Sequence, residues 1–185
     1  FANQILLSFP NINANEVFNI VKKHVGVELQ ASIGSNGFAM PVSSRVLLDC
    51  AEYSDNLSLL KESIMVDMSM ITVVEEDLIN NNIKIVLILG VSSDDEIKQD
   101  IFSAYFRLVE YLRNNNFTVY IYDPYFSSEE INSKTHAYAV SNIDYLSNDI
   151  EGIVVGAKHS WTKFLDMKVF INNISNVNYF LDNGS

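Results

Sequence analysis

The chain has 185 residues and a formal net charge of −11. That acidity excludes a nucleic-acid backbone or an anionic membrane surface as the main partner, since either would repel it; it leaves open a small phosphate ligand held by backbone amides. Apolar residues make up 48% of the sequence and cysteine occurs once, at Cys50, so a packed globular core is expected without an internal disulfide.

No apolar run approaches the roughly twenty residues of a membrane-spanning helix and no signal-peptide pattern opens the chain, so a soluble, cytoplasmic protein is expected. The start, FANQILLSF, has no initiator Met and no polar lead-in, which points to a fragment of a longer protein. Phe1 to Phe9 reads as the end of a helix stopped by Pro10. Asn13 or Asn15 caps a second helix, Ala14 to His24, which Gly26 ends. From Val27 to Pro41, Gly34, Gly37 and Pro41 mark an irregular loop of a kind that often carries function. Ser43 or Ser44 caps a third helix bearing Val46, Leu47, Cys50 and Ala51, with Cys50 expected as a packed thiol.

A long fourth helix follows, with Leu57, Leu60, Ile64, Met68, Ile71, Val74 and Leu78 at steps of three and four. Met65, Val66, Met70 and Val73 widen that stripe beyond one face, so it needs cover on two sides, from a partner subunit in a homodimer or from a second layer of the same chain. Asn80 to Asn82 separate this helical segment, residues 1–82, from residues 83–185.

The second segment alternates strands and helices. Lys84 to Leu89 is a β-branched run ending at Gly90, as in a parallel strand buried on both faces. Ile101, Ala104, Tyr105, Leu108, Val109 and Leu112 fall on one helix face, Asn114 to Asn116 end that helix, and Val119 to Tyr122 forms the next strand before Asp123-Pro124. The stretch YFSSEEINSK reads as a polar loop, Ala137 to Val140 as a short strand and Asn142 to Leu146 as a short helix. Ile153 to Gly156 is another buried strand, AKHSWTKF a turn leading to a helical stretch ending near Phe170, and Val177 to Leu181 the last strand. The predicted class is α/β: a helical, dimerisation-type segment followed by a Rossmann-like parallel sheet with flanking helices.

In such sheets ligands sit beyond the carboxyl ends of the strands, here near Gly90 to Asp94 and near Asp123. Ser92 and Ser93 are candidates to hydrogen-bond a phosphate at the start of the following helix, with Lys98 the nearest cation. Asp94, Asp95 and Glu96 oppose an anion there and read equally as first-turn residues stabilised by the helix dipole. Asp123 is placed to meet a ligand hydroxyl, or simply closes an Asp-Pro turn. His159, with Lys158 and Trp161, makes either a nucleotide-contacting cluster or a surface turn. Gly37 and Phe38 either offer backbone amides and a ring to a ligand or belong to a plain loop. Neither His24 nor His136 has partners at metal spacing, so no metal is expected. The sequence contains no GxxxxGK, GxSxG or GxGxxG.

The order of parts, a glycine-containing loop among helices followed by a strand-loop-helix-strand unit ending in YDP at Tyr122 to Pro124, resembles the central and C-terminal domains of the UDP-glucose/GDP-mannose dehydrogenases. GIVVGAKHSWTKFLD and YFLDNG are similar to that family's later strands, and IGSNGFAMP occupies the place of its sugar-binding loop. The resemblance implies a nucleotide-sugar ligand, a homodimer built on the helical segment, a place in polysaccharide biosynthesis, and NAD bound by an N-terminal domain that this chain lacks, with no cofactor on the chain itself. It also implies a catalytic role for Asn3, which matches either of two family asparagines, one of them a donor to the developing oxyanion. The departures are chemical. The position of the family's cysteine nucleophile, which forms a thiohemiacetal and then a thioester with the sugar C6, falls on Ala39 or Met40. The family's phenylalanine-lysine pair falls on Ser93-Asp94 and its arginine on Ile101. The expectation is a dehydrogenase-like chain without the dehydrogenase nucleophile, or a non-catalytic nucleotide-sugar-binding or dimerisation module.

Overall fold

A computed structural model describes residues 1–182 except 38, 144, 145, 147, 162–169, 172, 173 and 175. Residues 144 and 145 of the expected helix at Asn142 to Leu146, and residues 162–169 of the expected helical stretch ending near Phe170, fall outside that set. Five strands, β1 (Ile85–Leu89), β2 (Thr118–Tyr122), β3 (Tyr138–Ala139), β4 (Gly152–Val155) and β5 (Tyr179–Asp182), form one sheet in the order β3-β2-β1-β4-β5. Every pairing is parallel, with Leu87 opposite Tyr120 on one side and Ile153 on the other.

β1 lies at the centre and its side chains alternate between two layers. Val86 and Ile88 face a core with Ile71, Val74 and Leu78 of helix α4 (Ser58–Asn80) and Leu108, Val109 and Leu112 of α5 (Ala104–Asn114). Leu87 and Leu89 face the other side with Ile150, Ile153, Val155, Phe170 and Ile174. Burial on both faces explains the unbroken apolar run in β1. A smaller cluster of Ala2, Ala14 and Phe18 joins α1 (Ala2–Ser8) to α2 (Ala14–Val25), and Tyr179 of β5 donates a hydrogen bond of 2.7 Å to Asp77 of α4.

Local rules place most helix ends. Asn13 accepts from the Glu16 amide, and Gly26 closes α2 at φ 74°. The asparagine clusters supply the left-handed residues after α4 and α5, Asn82 at φ 59° and Asn116 at φ 63°. Other expectations need correction. Helix α3 runs Ala39–Asp49, starting before Ser43 and Ser44, whose place inside it rules out a cap; Pro41 fits because the first turn needs no amide. Cys50 follows that helix and is exposed, not packed. The polar stretch after Pro124 contains α6 (Ser128–Thr135), opened by a capping box between Ser127 and Glu130. α5 starts at Ala104, so Ile101 lies outside it, exposed, and Asp94 to Glu96 occupy a loop and not a first turn.

At the carboxyl edge Gly90 and Gly156 lie backbone to backbone. A Cβ on Gly90 would overlap the Ala157 carbonyl oxygen, and one on Gly156 would overlap the Gly90 carbonyl oxygen; Gly90 is also at φ 79°. Gly90→Ala is therefore expected to lower the unfolding free energy by more than about 3 kcal/mol, through overlap and backbone strain together. Gly26→Ala, at a similar φ with no heavy atom within 4 Å of the added carbon, should cost about 1 kcal/mol. Urea unfolding followed by circular dichroism checks the pair, and equal losses would refute the overlap.

Candidate functional site

The carboxyl edge of the sheet is built around Asp123, the residue following β2, 3% exposed. Its Oδ2 accepts from the amides of Val91 (2.8 Å) and Ser92 (3.3 Å), just past β1, and its Oδ1 from the Tyr125 amide (2.9 Å). His159, fully buried after β4, brings Nε2 to 3.4 Å from the same Oδ2. The other ring nitrogen, Nδ1, accepts from the Glu96 amide at 2.9 Å. An accepting Nδ1 leaves the ring proton on Nε2, directed at Asp123. Burial alone would raise the Asp123 carboxyl, but the His159 hydrogen bond and the Tyr125 and Val91 amides outweigh it and hold the group below the ordinary carboxylate range.

Glu96, at φ 60°, closes a second set of contacts. Its carboxylate accepts from the Tyr125 hydroxyl (2.9 Å), the Ser160 amide and the Ser160 hydroxyl (3.3 Å). The Tyr125 hydrogen bond is the leading reason its carboxyl titrates below the usual value, and the same bond raises the Tyr125 phenol. Asp95 accepts from the Lys158 amide at 2.6 Å. The Tyr125 and His159 rings meet at a tilt, 4.6 Å between centroids and 47° between planes.

On the other side of the edge stands the glycine-containing loop. Asn36 accepts from the Ala104 amide (2.7 Å) at the start of α5, Ser35 donates its amide to Asp67 of α4 (2.5 Å), and Arg107 of α5 donates to the Ser35 carbonyl (3.2 Å). Gly34 lets the loop approach, since a Cβ there would sit 3.2 Å from both Ala104 Cβ and Arg107 Nη2. Between this loop and the strand ends is a crevice of about 580 Å³, lined among others by Gln30, Asn36, Ser93, Asp94, Asp95 and Tyr105; among the described residues, none that line it is Lys, Arg or His.

The structure brings Ser93 to this crevice, and Gly37 to its rim beside Asp94, but gives several candidates other work. The Ser92 hydroxyl donates to the Ile97 carbonyl (2.6 Å) and accepts from the Gln99 amide (3.0 Å), folding its own loop. The Ser93 hydroxyl donates to Asp94 at 3.1 Å. Lys98 pairs with Glu130 of α6 at 2.5 Å. Asn3 accepts from the Ser32 amide at 2.8 Å, pinning α1 to the loop. Phe38 lies outside the described residues. Asn36, Asp67, Glu96 and Tyr125 were not legible as site residues; the S-x-x-E box of α6 was the one local signal available nearby. Among the described residues, no group of three or more His, Cys, Asp or Glu could hold a metal ion, and no helix is long and apolar enough to cross a membrane.

The fold, a parallel sheet carrying its crevice at the carboxyl edge beside a helical segment, is that of part of the nucleotide-sugar dehydrogenases. The chain is similar to the UDP-D-ManNAc dehydrogenase from Pyrococcus horikoshii, with a TM-score of 0.75 and 20% identity over 100% of this chain and 44% of that one. It is similar also to the UDP-N-acetyl-mannosamine dehydrogenase from S. aureus (TM-score 0.76, 18% identity, 99% of this chain and 47% of that one) and to the GDP-mannose dehydrogenase from Pseudomonas aeruginosa (TM-score 0.66, 17% identity, 99% and 45%). The chain thus spans less than half the length of each. No protein-family model matches the sequence, and no curated protein is significantly similar to it.

Asp123→Asn is expected to cost about 3 kcal/mol, because the buried amides of Val91, Ser92 and Tyr125 lose a charged acceptor. With its carboxyl held below the unfolded value of about 3.9, the Asp123 contribution is complete above that pH and is lost as the pH falls through the folded value. Urea midpoints measured down the acid limb should fall less steeply in Asp123→Asn than in wild type; parallel curves would show that Asp123 does not carry the effect.

Proposed function

We propose that the chain is the central and C-terminal part of a cytoplasmic nucleotide-sugar dehydrogenase-like protein, and that it does not supply the chemistry of NAD-dependent C6 oxidation. In this reading residues 1–82 are the helical central segment and residues 83–185 the nucleotide-binding-type domain, while NAD belongs to a domain outside these residues. The carrying observation is the start of α3. It follows the glycine loop directly, where the resemblance puts the nucleophile, and it presents Ala39 and Met40, neither of which can attack a carbonyl. Cys50 is no substitute, since eleven residues of helical rise set it about 16 Å away, beyond the far end of α3.

A second reading, a binding or dimerisation module, draws support from the first half of the helical layer. Val46 and Leu47 of α3 and Met65 and Met68 of α4 are all at least half exposed, apolar area of the sort that a second copy covers. The full-length protein, incubated with NAD and UDP- or GDP-sugars, is expected to form no NADH; robust formation that survives Cys50→Ser would overturn the first reading. Sedimentation at tens of micromolar tests the second, for which a dimer is expected and a monomer counts against that face. Calorimetry with UDP, UDP-glucose and GDP-mannose then decides whether a nucleotide site is retained.

A further inference from the structure

Three backbone and side-chain donors follow β4, just past the crevice-lining Ala157: the amides of Lys158 and Ser160 and the Ser160 hydroxyl. In an open sheet, amides in the turn after a strand are natural acceptors' partners for a phosphate. Here all three already serve carboxylates of the chain. Asp95 takes the Lys158 amide at 2.6 Å, and Glu96 takes the Ser160 amide with one oxygen and the Ser160 hydroxyl, at 3.3 Å, with the other. The attachment is reciprocal, because the Glu96 amide donates to His159 at 2.9 Å and the Tyr125 hydroxyl donates to the Glu96 carboxylate at 2.9 Å. Asp95 and Asp94 also line the crevice itself, and no Lys, Arg or His is among its described lining residues.

We propose that Asp95 and Glu96 are specificity-determining residues that act as a tethered anion: they occupy the donors after β4 and so close that turn to phosphate-bearing ligands. The contacts alone carry this, independently of the kinship to dehydrogenases, so it stands or falls separately from the reading of catalysis. A free phosphate reaching the Lys158 and Ser160 amides must displace two carboxylates and then lie beside them, and like charges at contact distance strongly disfavour that arrangement. Removing the carboxylate charges removes both obstacles.

The test follows the Lys158 and Ser160 amide resonances of the whole chain during titration with inorganic phosphate at constant ionic strength. Wild type is expected to show no saturating shift at either amide, and Asp95→Ala/Glu96→Ala to show saturating shifts at both, with an affinity at least about tenfold above any in wild type. Asp95→Asn/Glu96→Gln, which keeps the side-chain shape, repeats the comparison if the alanine pair does not fold. Saturation of the wild-type amides at the same phosphate concentration as the variants would overturn the proposal, and so would a folded variant whose two amides stay unmoved.

Discussion

The buried carboxylate of Asp123 is the constraint on which the carboxyl edge depends. Three separate chain segments end there: the turn after β1 through Val91 and Ser92, the turn after β2 through Tyr125, and the segment after β4 through His159. A charge at 3% exposure is tolerable only with its oxygens fully engaged, and here amides and an imidazole engage them. Asp123, which the sequence places either to meet a ligand hydroxyl or to close an Asp-Pro turn, ties these strand ends to one another. Its partner His159 reaches further, joining Asp123 to the Glu96 loop, so one hydrogen-bonded system runs from β2 across β1 to the far side of β4.

What could be read from the sequence follows from how locally each feature is encoded. β1 and α5 were legible because burial on two faces and on one face impose an apolar run and a step of three and four. The sheet class followed from the alternation of such elements. α6 escaped because only Ile131 and Thr135 of its eight residues are buried, too few for a stripe, although Ser127 and Glu130 announced its start. The stretch from Asp94 to Ile101 is ambiguous in sequence because three acids look alike at a helix start and in a loop; the positive φ of Glu96 and of Phe102, which keeps the chain from entering α5 earlier, has no glycine to mark it. The docking of Asn36, Asp67 and Arg107 is purely tertiary. Partners separated by 32 to 72 residues leave no spacing to find.

The chemistry and the architecture of this chain have separate supports. The architecture rests on β1 with its two layers and on backbone contacts at the strand ends. The side chains at the start of α3 and around the crevice belong to no strand pair, so they can change without disturbing the sheet. Ser92 and Lys98, the polar residues best placed by sequence to serve a phosphate, are bound into the loop and to α6 respectively.

The contact of Gly90 with Gly156 has a consequence for how such a chain varies. Each glycine is required by the other's carbonyl or by the residue beside it. The two positions therefore act as a matched pair: a side chain at either would part β1 from β4 at their tips and open the joint that the Asp123 and His159 hydrogen bonds span. Backbone packing alone thus accounts for a glycine at the end of each of these two neighbouring parallel strands.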